Sequence, residues 1–304
     1  MTSSRSVHYP LSAHPESNAA SDNTQRQTQE SHQAKPIVRH MDFSLDDNLP
    51  RYMFKNNPMI SGLIYALSES FPRGEEMFIA SVRAHQHKIT DPELKQDVRA
   101  FIGQEAHHGK QHRLLNTLVS QRGFPNAFYD RLVRFLLAAS KRLHGKRQLA
   151  LTVGFEHVTA TFGAEFLRKN HLICDQTDER INQLLVWHAI EEIEHKTVAF
   201  DVYQKTLKSN ALRYRMFVLG VFFFLTYLTV ATTHYTIKEG QLFNFKAWRE
   251  FFSFLYGKEL GMMTQLFRDM KAYFRPDYDP RDDDHSELLE QWLPYVDQAL
   301  IKSH

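Results

Sequence analysis

Two short stretches constrain this chain more than any other feature, and they mirror each other. Gln104-Glu105-Ala106-His107-His108-Gly109-Lys110-Gln111-His112 and His188-Ala189-Ile190-Glu191-Glu192-Ile193-Glu194-His195 each contain Glu-x-x-His. The pairs are Glu105 with His108 and Glu192 with His195. On a helix, residues i and i+3 share a face, so each pair aims a carboxylate and an imidazole at one point. His112 lies seven residues after Glu105, and His188 lies four before Glu192. Both offsets stay on the same helical stripe, because seven residues are close to two turns.

Two further carboxylates sit upstream, one before each pair. Glu75 lies in Phe71-Pro72-Arg73-Gly74-Glu75-Glu76-Met77-Phe78, and Glu156 in Thr152-Val153-Gly154-Phe155-Glu156-His157-Val158. Glu75 shares an apolar face with Phe71, Phe78, Ile79 and Val82; Glu76 is rotated by about 100° and reads as solvated surface. The order Glu, Glu-x-x-His, Glu, Glu-x-x-His is that of ferritin-like dimetal carboxylate bundles. The expected fold is all-α: a ferritin-like four-helix bundle with a dimetal centre, followed by additional C-terminal hydrophobic and amphipathic helices. Glu75, Glu105, His108, Glu156, Glu192 and His195 are the expected ligands. His112 and His188 are added ligands or groups that orient the others. A lone histidine on an apolar stripe is usually a hydrogen-bonded core residue. Glutamate with histidine, repeated on two stripes, favours a metal as the partner that buried polar groups require.

The 304 residues suffice for a sizeable core, and the formal net charge of +2 gives no reason to expect a nucleic-acid partner. A single cysteine, Cys174, excludes an internal disulfide and a thiolate metal site, and reads as a bystander. Residues 1–35 lack an apolar signal core and carry Glu16, Asp22 and Glu30, so they read as a disordered tail rather than a targeting segment.

The metal-binding bundle is expected over residues 36–209. Asn57-Pro58 starts a helix to about Glu69, and Pro72 starts a second one. Asp91-Pro92-Glu93 opens a helix to about Gln121, and a crossover helix spans 126–145. Helices over 146–173 and 178–208 carry Glu156 and the second Glu-x-x-His. Glu191 and Glu194 read as surface or outer groups, and His157 as an outer or packing residue. Residues 210–304 should pack on the bundle or on a membrane. Met216 to Ile237 holds no Asp, Glu, Lys or Arg across 22 residues, enough to cross a bilayer. A buried helix, a monotopic helix and the wall of a lipid-like substrate pocket fit the same residues. The aromatic-rich helices that follow fit a core or a bilayer surface. The run Asp282-Asp283-Asp284-His285 reads as solvated loop.

Phe71-Pro72-x-Gly74-Glu75-x-x-Phe78, Gln104-Glu105-x-x-His108-x-x-x-His112, Glu156-His157-x-Thr159-Ala160 and Trp187-His188-x-x-Glu191-Glu192-x-Glu194-His195-Lys196 resemble the bacterial family of predicted metal-dependent hydrolases. So does Tyr273-Phe274-Arg275-Pro276; Tyr278-Asp279-Pro280 departs from it, since a histidine is expected before the proline. The resemblance covers about residues 36–295 and implies a metal-dependent hydrolase. His188-x-x-x-Glu192-x-x-His195 also resembles the fourth helix of di-iron arylamine N-oxygenases, where an extra histidine joins the site. The expected function is a dinuclear metalloenzyme, first an O₂-dependent oxidase of an apolar or amphipathic small molecule, with hydrolysis as the alternative. An iron-binding membrane-associated protein is the non-enzymatic rival. The expected cofactors are two metal ions, iron first and manganese or zinc otherwise. Expected partners are the apolar substrate, an electron donor, a membrane surface and a second copy of the chain. The expected location is the cytoplasm, including attachment to the inner face of the membrane.

Overall fold

The computed structural model describes residues 34–54, 56–141 and 145–302, so the expected tail over 1–35 lies almost wholly outside the described residues. The fold is all-α: no strand forms among the described residues, and one isolated bridge joins Phe54 to Thr177.

The bundle uses α1 (Pro58–Arg83), α2 (Pro92–Gln121), α4 (Gly145–Lys169) and α5 (Glu179–His195), with α3 (Asn126–Lys141) as the crossover. The starts of α1, α2 and α5 are each set by a side chain that satisfies helix-end amides. Asn57 accepts from Met59 and Ile60, Asp91 from Glu93, and Asp178 from Arg180. Pro58 and Pro92 occupy first-turn positions where no amide is missed.

α1 packs on α2 and α4, and α5 packs on α4 and α2. Two apolar clusters cap the ends of this arrangement. One holds Met59, Tyr65, Leu115, Trp187 and Ile190; the other holds Phe78, Val98, Phe101, Leu149 and Val198. α1 and α5 run from the first cluster towards the second, α2 and α4 the other way. The polar residues of all four helices therefore meet in one layer between the clusters. α4 and α5 touch closely at Gly163, where a Cβ would stand 3.1 Å from the Cα of Ala189.

Two boundaries differ from the sequence reading. Pro72 does not start a new helix; it lies inside the continuous α1. A proline there denies the carbonyl of Ser68 its i+4 amide. Asn116 on α2 supplies the missing donor, with its Nδ2 2.9 Å from the Ser68 carbonyl oxygen. The expected helix over 178–208 divides at Lys196 and Thr197 into α5 and α6 (Val198–Thr206).

α7 (Asn210–Lys238) is the apolar helix, long and apolar enough to cross a membrane, with one third of its most apolar window buried. Its first half lies on α4, where Gly154 and Gly220 admit Phe217 and Leu151. Its second half lies on α1, where Gly62 faces Tyr235 and the Tyr227 hydroxyl donates to the Ala66 carbonyl at 3.0 Å. α8 (Phe245–Tyr256), α9 (Met262–Asp269) and α10 (Ser286–Lys302) follow.

Candidate metal centre

The eight singled-out residues are all buried in the polar layer. One donor atom from each of Glu105, His108, Glu192 and His195 lies within 4.8 Å of the others, and so do atoms of Glu75, His108 and His188. Glu156 joins through His195, whose Nδ1 is 2.8 Å from Glu156 Oε2. His112 joins through His188. α1, α2, α4 and α5 each contribute at least one carboxylate.

Many of these donors face inward with no hydrogen-bond partner. Both carboxylate oxygens of Glu75 and of Glu105, Oε1 of Glu156, Nδ1 of His108 and Nε2 of His195 are buried and unsatisfied. Native proteins rarely leave such groups unpaired, because each costs about 1–3 kcal/mol or more. Their concentration in one layer fits a cation site.

The surrounding hydrogen bonds fix which imidazole nitrogens are free. His108 Nε2 lies 3.1 Å from Glu191 Oε2; burial raises Glu191 to about 8 against the pull of Arg39 and Trp187, and when it is ionised Nε2 carries the proton and the Nδ1 lone pair faces the cluster. Glu191 is held in turn by Trp187 Nε1 at 2.8 Å and by Arg39 at 3.4 Å. A carboxylate that holds the far nitrogen of a histidine is the usual support of a metal-binding imidazole.

The second chain can be read from its far end. Asn116 donates to the Ser68 carbonyl, so its Oδ1 accepts from the Ser68 hydroxyl at 2.7 Å. The Ser68 oxygen then accepts from His112 Nδ1 at 2.9 Å, and His112 Nε2 accepts from His188 Nδ1 at 2.7 Å. That leaves a lone pair on His188 Nε2 facing Glu192 Oε1 at 2.8 Å. Two acceptors at that distance require a proton or a metal ion. Phe71 packs its ring edge-on against both histidines, 4.7 and 4.8 Å away, and holds them in line.

Electrostatics point the same way. Burial, with other carboxylates alongside, raises Glu75 and Glu105 well above the ordinary range. Burial raises Glu156 to about 7 against the pull of His195. For Glu192, burial is outweighed by His195, His188 and the Thr159 hydroxyl, and it is lowered. Burial and the neighbouring His188 hold His108 and His112 well below the ordinary value, as neutral imidazoles. His195 goes the other way, to about 9: burial opposes its charge, but Glu156 and Glu192 override it. Without metal, protons on His195 and on the carboxyls therefore supply the balancing charge.

Glu191 and Glu194 are buried, not surface groups. Arg39, from the segment before α1, binds Glu194 at 2.7 Å and also reaches Glu191. Gln104 donates to Glu194 at 2.8 Å. Arg39 gave no sequence signal, since it lies in irregular chain over 150 residues from its partners. Ser68 was also missed, and Thr159 stood in a motif with no role of its own; hydroxyls inside helices are too common to stand out. Glu76 is exposed and paired with Arg73 at 2.8 Å, as its position on α1 dictates. His157 packs outside the cluster, bonded to the Tyr278 hydroxyl at 2.8 Å. The acidic run Asp282–Asp284 is exposed, as expected of a solvated loop, while Lys196 holds its backbone through the Asp283 carbonyl and bonds His285 Nδ1. Cys174 is buried.

A cavity of about 350 Å³ adjoins the cluster, touching Glu75, Thr159 and Glu192 and otherwise walled by side chains such as Phe71, Phe78, Phe155 and Met216.

The described residues thus form an all-helical protein with a buried carboxylate–imidazole cluster that could hold metal. The family model described as predicted metal-dependent hydrolase matches residues 37–284, and the chain belongs to that family. No curated protein and no solved structure matches it.

Proposed function

We propose that this chain is a metal-dependent hydrolase acting on an apolar small molecule, built as a ferritin-like bundle around two metal ions. The carrying observation is the set of unsatisfied buried donors on Glu75, Glu105, Glu156, His108 and His195. With Glu192 they form the proposed ligand set, His188 adds its Nε2 lone pair, and His112 orients His188. Two divalent ions held there would lower the pKa of a water and polarise the bond under attack. The chain's own groups do the rest. Glu191 fixes the His108 ring, and Thr159 holds one oxygen of Glu192. The Asn116–Ser68–His112–His188 chain fixes the ring that presents the His188 Nε2 lone pair. The apolar cavity places substrate beside Glu75 and Glu192 and excludes bulk water.

Two observations favour a second reading, oxidation by O₂ with iron and an electron donor. The donors are mixed carboxylate and imidazole, which suit iron or manganese. Beyond Glu75, Thr159 and Glu192, the cavity wall offers few polar groups to receive a charged leaving group.

The two readings separate in one assay pair. A hydrolase loaded with zinc or manganese should cleave a nitrophenyl ester of a medium-chain acid without oxygen, and Glu105→Ala should abolish it. Reductant-dependent oxygen uptake by the iron form, with no anaerobic cleavage, would overturn hydrolysis in favour of oxidation.

A further inference from the structure

The cavity beside the cluster has its other end on α7. Leu219 and Phe223 line it and are still 44% and 48% exposed, so it reaches the protein surface between them. The surface there is itself apolar: Val218, Phe222 and Val230 of α7 are exposed, and the segment beyond adds Phe243, Phe245 and Phe252. Arg215, Lys238, Lys246 and Arg249 are exposed along the same part of the chain. Exposed apolar side chains interspersed with cations, with Glu250 the exposed anion beside Arg249, suit an anionic bilayer surface. α7 is long enough to cross a membrane, but it lies along α1 and α4. A crossing would draw exposed Glu76 of α1 and Lys146 and Arg147 of α4 towards hydrocarbon, at a high cost. A helix lying in the interface avoids that cost.

We infer that the cavity is the binding site for an unbranched aliphatic chain, taken from a lipid bilayer between Leu219 and Phe223, with the reacting end of the molecule at Glu75 and Glu192. This names a substrate class for the metalloenzyme reading above and rests on it for the chemistry, not for the binding. About 350 Å³ is within the range of small-molecule sites, and an apolar lining with a few convergent polar groups at one end fits a chain with one functional end. Gly74 shows how the space is kept. It lines the cavity, and a Cβ there would meet nothing within 4 Å, so a larger side chain would grow into the cavity rather than into packed protein.

The test uses the full metal-loaded chain and N-phenylnaphthylamine fluorescence, displaced by dodecanol. Wild type should bind about one probe per chain. Gly74→Leu and Gly74→Met should bind dodecanol about tenfold more weakly or worse, the effect of leaving roughly two methylenes unburied. Both variants should keep their metal and melt no lower than wild type, while Gly74→Ala retains binding. Absent binding by wild type, or equal binding by folded Gly74→Leu, would overturn the inference. For the route, wild type should float with phosphatidylglycerol-containing vesicles, and Val218→Asp with Phe222→Asp should remain in solution yet still bind dodecanol. Wild type that ignores vesicles would overturn the route from the bilayer. Dodecanol binding by a chain that holds no metal would sink the metalloenzyme reading and leave the pocket standing; metal without dodecanol binding would do the reverse.

Discussion

Asn116 donates to the carbonyl of Ser68 at 2.9 Å, in place of the amide that Pro72 cannot supply. A proline that would ordinarily break α1 is thus tied to the polar layer. The same amide group orients the Ser68 hydroxyl, and through it the His112 and His188 rings. Asn116→Ala should therefore cost about 1–3 kcal/mol in stability, for a buried carbonyl left unpaired. It should also weaken metal binding, because the tautomers of both histidines lose their anchor. Urea unfolding and chelator competition measure the two effects; a loss of stability with metal affinity unchanged would break the proposed link.

Glu191 fixes His108 without being among the proposed ligands. Glu191→Gln keeps an acceptor for the His108 proton but removes the charge and sets an amide against Trp187 or Arg39. Metal affinity should drop by about tenfold or more, the usual effect of losing such a support. Competition with a coloured chelator reads it directly, and unchanged affinity would remove Glu191 from the account.

Gly109 on α2 gives Glu75 its room: a Cβ there would stand 2.8 Å from Glu75 Oε2. Gly109→Ala gains roughly 1 kcal/mol in helix propensity. The stripped variant should melt no lower than wild type, while the displaced Glu75 carboxylate binds metal more weakly. Calorimetry with and without metal separates these opposite signs. A variant that binds metal as wild type does would show that Glu75 is not needed where it stands.

The metal-free protein should have an unusual pH dependence. Glu156 rises to about 7, Glu75 and Glu105 also rise, and His195 rises to about 9. For each, the folded state holds protons more tightly than the unfolded state, so this stabilisation is complete at low pH and is lost as pH climbs through the folded value. Glu192, His108 and His112 are lowered and act with the opposite sign, Glu192 below the ordinary carboxylate value and the two histidines below the ordinary imidazole value of 6.5. Melting of the stripped protein should therefore decline from about pH 6.5, above which the histidines no longer oppose it, to about pH 9, where His195 loses its proton. Metal binding displaces these protons, so the gap between loaded and stripped forms should widen over the same range. A stripped protein that gains stability over that range would contradict the assigned charges.

Much of the cluster was legible because helical spacing is local. Glu105 with His108 and Glu192 with His195 declare a shared face three residues apart, and Glu75 and Glu156 sit on apolar stripes that have to turn inward. The supporting residues were not legible, because their partners are distant in sequence. Arg39 reaches Glu194 across the bundle, and Asn116 repairs a helix that local rules would end at Pro72. Of the two readings of Glu191 and Glu194, the outer one holds and the surface one fails for a related reason. Charged residues flanking a stripe usually face water, but α5 is enclosed on nearly every side in its second half.

The central claim is that the buried donors of this layer hold metal. The most direct test is the metal content of untagged protein expressed with iron, zinc and manganese all available, measured by plasma mass spectrometry. The account predicts about two ions per chain, falling in His108→Ala and in His195→Ala. A folded wild-type protein that holds no metal would contradict it.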